Sequence, residues 1–252
     1  MRTLLTIACA LVALACPAAA SAVVGGTAVK PGSYPFVVTV GDTTAFYCGG
    51  TLIAPNVVLT AAHCLTDRRT ALAELRVSDA TRTLGVSALV LHPKFDEGSM
   101  HYDAALLFLS QPLDGVRTLS MATSSPRAGS TVSAAGWGKT REGAATTPGE
   151  LRSAVLEVGT TSECSRGNTS FGPYFAPSML CASKPGRDTC SGDSGGPLVG
   201  TSGGHAALVG ITSFGDGCAR PGHPGVYTRV TAIRAWVLSQ LKLMAGAAVL
   251  TP

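Results

Sequence analysis

The feature that most constrains the fold is a series of short apolar segments that recurs through most of the 252-residue chain. These segments are rich in Val, Leu and Thr, and Gly, Pro, Ser and Asp separate them, as is typical of antiparallel strands joined by turns. This spacing favours an all-β sandwich or barrel over alternating β and α units. The predicted strands are residues 36–40, 51–53, 57–61, 84–91, 104–109, 132–135, 151–158, 197–199, 206–212 and 225–230.

Two segments have a helical pattern. Residues 160–166 begin with a Thr-x-x-Glu capping box, formed by Thr160 and Glu163, and predict a brief helix. Residues 232–244 predict a longer helix with one apolar face, which we expect to pack on the core of the protein. The apolar positions of that face are Ile233, Trp236, Val237, Leu241 and Met244.

The composition is that of a globular protein without a nucleic-acid site. Apolar residues make up 46% of the chain and charged residues only 13%, which argues against disorder. The net charge of +4 is modest, and no basic cluster is longer than Arg68-Arg69. A phosphate backbone would require more clustered positive charge, so we expect no nucleic-acid partner.

The first 22 residues have the layout of a secretory signal peptide. Arg2 supplies the positive start, residues 4–15 the apolar run, and Ala20-Ser21-Ala22 a small-residue cleavage site. The apolar run is short for a membrane span and no charged stop follows it, so we expect secretion rather than an anchored surface protein. Residues 18–20 fit the signal peptidase as well, and cleavage two residues earlier therefore stays open.

The cysteines indicate three disulfides. Of eight cysteines, Cys9 and Cys16 lie in the signal segment, and an even set of six in an exported chain predicts a disulfide framework. The spacing does not choose among the roughly 15 pairings. A zinc site would require a C-x-x-C pair or a Cys/His cluster at ligand spacing, which the sequence lacks. The six cysteines are Cys48, Cys64, Cys164, Cys181, Cys190 and Cys218.

Three separated segments carry residues suited to nucleophilic catalysis. His63 directly follows a predicted strand, Asp103 directly precedes another, and Ser194 lies in the glycine-rich run Gly192-Asp193-Ser194-Gly195-Gly196. A serine hydroxyl is a poor nucleophile unless a base takes its proton and donors stabilise the oxyanion. The glycines leave room for a substrate backbone to approach.

The order His, Asp, Ser and the local contexts of these residues resemble the trypsin and chymotrypsin family of serine proteases. The resemblance extends from residue 23 to about residue 241. It implies two antiparallel six-stranded β-barrels, the first at about residues 23–120 and the second at about 121–230. The active site is expected between the barrels, and a C-terminal α-helix at about residues 232–244.

The resemblance also implies the chemistry. His63 is expected to act as general base and then as general acid, while Asp103 holds its tautomer and Ser194 forms the acyl-enzyme. The backbone N–H groups of Gly192 and Ser194 are expected to stabilise the oxyanion. A catalytically inactive homologue that acts as a binding module is the alternative function. Such proteins usually lose one of the three side chains, and this chain has all three.

Further matches to the family concern substrate preference. Asp188 occupies the position at the floor of the pocket for the residue before the cleaved bond, which implies preference for Arg and Lys. Gly215 and Gly225 match the small wall positions of that pocket, and Ser213-Phe214-Gly215 matches the segment that pairs with the substrate backbone. Phe214 departs from the usual tryptophan, which affects preferences at neighbouring substrate positions.

Activation and disulfides are likewise inferred from the resemblance. Val23 matches the new N-terminus that forms a buried ion pair with the acid Asp193, and cleavage after residue 22 would produce it directly. We therefore expect secretion of an already competent enzyme, whereas a retained Ser21-Ala22 stub would be inhibitory. The implied disulfides are Cys48–Cys64, Cys164–Cys181 and Cys190–Cys218.

The expected partners follow from this interpretation. They are protein or peptide substrates with Arg or Lys before the cleaved bond, and proteinaceous protease inhibitors. We expect a monomer with no membrane partner and no cofactor. We also expect no metal, because residues 65–87 contain only Glu74 and Asp79 as acids, which does not support the calcium loop of some relatives.

An α/β-hydrolase is the rival enzyme class, because residues 192–196 also satisfy its G-x-S-x-G motif. That class has the order Ser, acid, His, and after Ser194 the chain offers only Asp216 with His223 on a short tail. Pro197 also follows almost at once, where that fold would need a helix. We reject this class. The histidines without a matching context, which we expect at the surface or in loops, are His92, His101, His205 and His223.

Overall fold

Short apolar segments pair as antiparallel strands in this chain, which a computed structural model describes over residues 23–66, 71–167 and 170–249. The predicted signal peptide, residues 1–22, lies outside the described residues. The strands close into two barrels followed by a C-terminal helix, so the predicted all-β fold with two six-stranded antiparallel barrels is confirmed. The strands are β1 Thr27–Ala28, β2 Val37–Gly41, β3 Phe46–Ala54, β4 Val57–Thr60, β5 Arg76–Ser78, β6 Thr83–Leu91, β7 Ala105–Leu109, β8 Thr131–Gly136, β9 Arg152–Val158, β10 Met179–Ser183, β11 Pro197–Ser202, β12 His205–Phe214 and β13 Gly225–Arg229.

Both predicted helices are present. The capping box begins the shorter one, because Glu163 N donates to Thr160 Oγ1 at 3.3 Å and Thr160 N donates to the Glu163 carboxylate at 2.8 Å. No helix within the described residues combines the length and apolarity that crossing a membrane requires. The helical segments are α1 His63–Thr66, a 3₁₀ turn at Leu72–Glu74, α2 Thr161–Gly167 and α3 Val230–Val249.

The first barrel closes in the strand order β2-β3-β4-β7-β6-β5. Its interior is filled by branched side chains, of which Leu52, Leu59, Leu106 and Leu107 are fully buried. Burying one such side chain contributes roughly 1.5–3 kcal/mol. This packed interior fixes the end of β4, after which His63 follows, and the start of β7, which Asp103 precedes.

The second barrel closes in the order β8-β9-β10-β13-β12-β11, with β8 paired to β9. The short strand β1 pairs with β9 outside this ring, with Thr27 opposite Ser153. The N-terminal segment of the described chain therefore lies against the second barrel.

Helix α3 follows the second barrel and packs where the two barrels meet, against strand β12 and against an apolar cluster that includes first-barrel residues. Val230, Ile233 and Val237 are fully buried within the same apolar cluster as Leu59 and Leu106. The helix thereby connects the two barrels. It helps to fix the relative positions of the residues that the two barrels contribute to the cleft.

Candidate active site

His63 begins helix α1, three residues after β4 ends, and is only 8% exposed. Two contacts fix this junction to the neighbouring strand β3. Thr60 Oγ1 donates to the Gly49 carbonyl at 2.7 Å, and a disulfide joins Cys48 to Cys64. The imidazole therefore projects from a backbone that is held on both sides.

Asp103 is completely buried and is bonded from both barrels. Its Oδ1 accepts from the His63 backbone N–H at 2.9 Å, and its Oδ2 lies 2.7 Å from His63 Nδ1. From the second barrel, Ser213 Oγ donates to Oδ2 at 2.5 Å and Thr228 Oγ1 donates to the Asp103 carbonyl at 2.7 Å. A buried carboxylate requires such partners. The contact with Nδ1 also favours the tautomer in which Nε2 can accept a proton.

Ser194 lies where the two barrels meet. Gly49 N, in the first barrel, donates to the Ser194 carbonyl at 2.7 Å, and Gly195 N donates to the Thr212 carbonyl at 2.7 Å. Gly195 has φ +79, and a Cβ there would overlap Thr60 Oγ1 and the Gly49 carbonyl. Only glycine allows this approach, which brings the serine next to the segment that carries His63.

The turn before the serine also presents backbone donors. Gly192 has φ +97, and a Cβ there would lie 3.1 Å from Gly138 Cα. Within the described residues, no backbone carbonyl accepts a hydrogen bond from the N–H of Gly192 or Ser194. Asp193 between them is buried, and its carboxylate accepts from Gly138 N at 2.8 Å and Cys190 N at 2.9 Å. The arrangement can stabilise a negatively charged oxygen.

A pocket of about 300 Å³ opens beside Ser194. Asp188 is 1% exposed and lies behind its wall, since a Cβ on Gly225 would lie 2.6 Å from Asp188 Oδ1. The carboxylate accepts hydrogen bonds from Thr189 N at 2.8 Å and Ala219 N at 3.1 Å. Burial nevertheless raises the pKa of Asp188 to about 7, and the nearby charge of Asp193 acts in the same direction. The predicted residues that line the pocket are Ser194, Ser213, Phe214, Gly215 and Gly225.

Val23 and Asp193, the predicted activation pair, are both buried. Val24 pairs with Asp188 as an antiparallel bridge, which places the N-terminal segment beside the pocket floor. Residue 23 is still joined to residue 22 in this chain, so its nitrogen is an amide and carries no charge. Burial without a cation raises the pKa of Asp193 to about 7.

The structure contains the three disulfides that the resemblance implied. They brace different parts of the molecule: one lies beside His63, one joins α2 to β10, and one joins the Ser194 loop to the pocket wall. Their pairings are Cys48–Cys64, Cys164–Cys181 and Cys190–Cys218.

Two contacts at the site were not predicted. Ser213 was expected only to meet substrate, yet its hydroxyl donates to Asp103. Tyr227 is fully buried, and its hydroxyl lies 3.2 Å from Thr189 Oγ1, behind Gly225. Both contacts depend on the register of β12 and β13, which no local sequence signal gives.

His92 lies in a loop directly after β6, as expected, but it is not at the surface. The residue is 6% exposed, its ring stacks on Tyr102 at 4.9 Å, and the edge of Trp236 lies 4.7 Å away. Burial, with a contribution from Lys94, lowers its pKa to about 4. Helix α3 covers this position, and the sequence around His92 carries no sign of that packing.

Comparison with known proteins agrees with the family resemblance seen in the sequence. A family model described as Trypsin matches residues 23–237. Trypsin delta of Drosophila melanogaster is 34% identical over 225 residues, which is 86% of this chain and 87% of that protein. Hypodermin-B of Hypoderma lineatum is 35% identical over 228 residues, covering 87% of this chain and 88% of that protein.

Proposed function

The chain belongs to the trypsin family of serine proteases, and from this premise we propose that it is a secreted endopeptidase that cleaves after Arg or Lys. The observation that carries the catalytic part is the buried Asp103 carboxylate, which lies 2.7 Å from His63 Nδ1 and accepts a hydrogen bond from Ser213. An acid held in this way can orient the imidazole and stabilise its protonated form.

In the proposed reaction, His63 takes the proton of the Ser194 hydroxyl as Oγ attacks the carbonyl carbon of the scissile bond. The carbonyl oxygen becomes an oxyanion, which the N–H groups of Gly192 and Ser194 stabilise. His63 then donates the proton to the leaving amine, and the C–N bond breaks. Water, activated by the same imidazole, hydrolyses the acyl-enzyme and restores the serine.

The proposed specificity is supported by the position of Asp188 behind the pocket wall. A buried carboxylate without a cation is unfavourable, which is why the pKa of Asp188 is raised to about 7. An Arg or Lys side chain that enters the pocket would supply the missing charge. Substrate binding would then favour the ionised form of Asp188.

The proposed activation uses the position of Val23. If signal peptidase cleaves after residue 22, Val23 gains an ammonium group next to Val24, which is bridged to Asp188, and we expect this group to pair with the buried Asp193 carboxylate. Losing either partner of a buried ion pair typically costs roughly 3–5 kcal/mol. N-terminal sequencing of active secreted protein is the direct measurement, and a start at Ser21 in fully active material would contradict this route.

The proposal is tested by hydrolysis of a small arginine ester or amide by the purified protein. We expect turnover that Ser194→Ala reduces by at least about 10³-fold, while the variant keeps its fold. Arg127→Gln, an exposed substitution far from the cleft, serves as the control and should leave turnover unchanged. A folded wild-type protein that binds a protein ligand but hydrolyses no ester would instead identify an inactive homologue.

A further inference from the structure

Two oppositely charged side chains join two loops beside the Ser194 pocket. Glu142 lies in the loop between β8 and β9, and Arg220 lies in the loop between β12 and β13. Arg220 Nε donates to Glu142 Oε2 at 2.8 Å, and Arg220 Nη2 donates to Glu142 Oε1. The contact is therefore bidentate, which fixes both distance and orientation of the two groups. Asp216 adds a weaker contact, 3.8 Å from Arg220 Nη1.

The two members of this pair differ in their relation to the pocket: Glu142 lines it, whereas Arg220 does not line it and only contacts a residue of its wall. Glu142 itself lines the pocket, together with Gly217 from the opposite loop. The arginine side chain lies against that glycine, because a Cβ on Gly217 would lie 2.6 Å from Arg220 Cδ and 2.7 Å from Arg220 Cζ. Gly217 also has φ +81, which favours glycine. A guanidinium group is therefore packed on a residue of the pocket wall.

This position has an electrostatic consequence for the proposed substrate. A fixed cation at the wall opposes the entry of another cation, and the carboxylate of Glu142 compensates it at hydrogen-bond distance. The two side chains are 50% and 43% exposed, so the pair contributes little to the stability of the fold. Its hydrogen bonds with Arg220 lower the pKa of Glu142, which keeps the carboxylate ionised at neutral pH.

We propose that Glu142 is a specificity-determining residue: it neutralises Arg220 at the pocket wall and thereby allows a cationic substrate side chain to reach Asp188. The inference rests on the proposed function of Asp188 and adds a second, peripheral charge requirement to it. It predicts that the two members of the pair are not equivalent, since removing Glu142 leaves Arg220 with only the weaker contact to Asp216, whereas removing Arg220 removes the cation itself.

The test compares E142Q, R220Q and the double variant with two esters, one of arginine and one of citrulline, which has nearly the same shape without the charge. We expect E142Q to raise KM for the arginine ester about two- to fivefold and to leave the citrulline ester nearly unaffected. R220Q should stay within twofold of the wild type for both esters. The double variant should return KM for the arginine ester close to the wild-type value.

Salt gives an independent readout. At about 1 M salt, where charges are screened beyond roughly 3 Å, the effect of E142Q on the arginine ester should shrink. R82Q is the matched control, because Arg82 has a similar exposure of 45% and pairs with Asp79 in the first barrel. We expect R82Q to behave like the wild type with both esters.

Three outcomes would overturn the inference: no effect of E142Q, an equal effect on the citrulline ester, or an equal loss in R220Q that the double variant does not reverse. The last two would mean that the pair only orders the loops. The proposed function is judged separately by D188N. If D188N abolishes the preference for arginine while E142Q has no effect, only the role of Glu142 fails.

Discussion

At the residue scale, the buried carboxylate of Asp188, which we propose binds the substrate cation, lowers the stability of the fold. Its buried carboxylate accepts backbone hydrogen bonds but has no cationic partner among the described residues, and burial raises its pKa to about 7. The same group in an unfolded chain titrates near pH 4. A carboxyl whose pKa is higher in the folded state destabilises the fold once it ionises. The cost grows as the pH rises from about 4 and is complete above about 7.

We therefore expect D188N, in a Ser194→Ala background that prevents self-digestion, to unfold at higher denaturant concentration than its parent at pH 8. The difference should nearly vanish at about pH 3, below both pKa values, where the parent carboxyl is largely protonated in the folded and the unfolded state. Denaturant titrations at the two pH values measure it. With Ser194 intact, D188N should lower kcat/KM for an arginine ester by roughly 10²–10³-fold, because the bound cation loses its partner.

Asp79 provides a control, because its pKa is shifted in the direction opposite to that of Asp188. Partial burial alone would raise its pKa, but hydrogen bonds from Thr81 and Arg82 outweigh burial and lower the pKa to about 2. Its ionised form therefore stabilises the fold at pH 8, and D79N should be less stable than its parent there. If D188N were also destabilised at pH 8, the carboxylate of Asp188 would have to be compensated by a group that the described structure does not contain.

At the same scale, the sequence predicted that His63 lies against Asp103, but not which groups hold Asp103 in place. His63, Asp103 and Ser194 were identifiable because each stands in a distinctive local context. The hydroxyls of Ser213 and Thr228, which fix Asp103, come from positions 110 and 125 residues further along the chain. Their contribution depends on strand register and could not be predicted from local sequence.

At the scale of elements, two disulfides with similar loop lengths allow an effect on stability to be distinguished from an effect on activity. Cys48–Cys64 and Cys164–Cys181 close segments of nearly equal length, with separations of 16 and 17 residues. Their effects on the entropy of the unfolded chain should therefore be nearly the same. Only the first adjoins His63, however, and only it connects that residue to strand β3.

Replacing either disulfide by two alanines should lower the free energy of unfolding by about 2–4 kcal/mol. We expect C48A/C64A also to lower kcat for an arginine ester about tenfold or more at a temperature where the protein stays folded. C164A/C181A should keep kcat within about twofold of the wild type. Denaturant titration and steady-state kinetics on both variants make the comparison, and equal losses of kcat would show that the Cys48–Cys64 bridge has no local role at His63.

Element boundaries show where sequence patterns fail. The predicted strand at residues 51–53 extends in the structure from Phe46 to Ala54. Gly49 and Gly50 conceal its first half, since glycine is unfavourable in strands. Both are needed for packing: a Cβ on Gly50 would lie 2.6 Å from Val58 Cγ1, and one on Gly49 would lie 3.0 Å from Gly196 Cα. Gly49 therefore lets the two barrels approach each other, and Gly50 leaves room for valine side chains within the first barrel.

At the scale of the whole molecule, both ends of the described chain connect the barrels to the site. Helix α3 packs on β12 and on the apolar cluster that the two barrels share, while β1 pairs with β9 and Val24 forms a bridge with Asp188. The apolar face of α3 was predictable from its periodicity. Its docking partner was not, because a helical pattern gives the buried face but not what covers it.

The proposed activation can be tested through the pH dependence of an uncleaved form. In the chain with residue 22 attached, the pKa of Asp193 is raised to about 7 because the buried carboxylate lacks a cation. The active arrangement therefore becomes increasingly unfavourable as the pH rises from about 4, and the full cost is reached above about 7, where the carboxyl is ionised. A free Val23 ammonium group would remove this dependence by pairing with the carboxylate.

We accordingly expect a form that begins at Ser21 to be less active than the form that begins at Val23, and the deficit to be larger at pH 8 than at pH 6. The ratio of kcat/KM values for one arginine ester is the quantity to measure, since any pH dependence that the two forms share cancels in the ratio. D193N in the Ser21 form supplies the control: without an ionisable group at position 193, the ratio should lose its pH dependence. A ratio that is the same at pH 6 and pH 8 for the unmodified pair would mean that Asp193 is not the group that senses the new N-terminus.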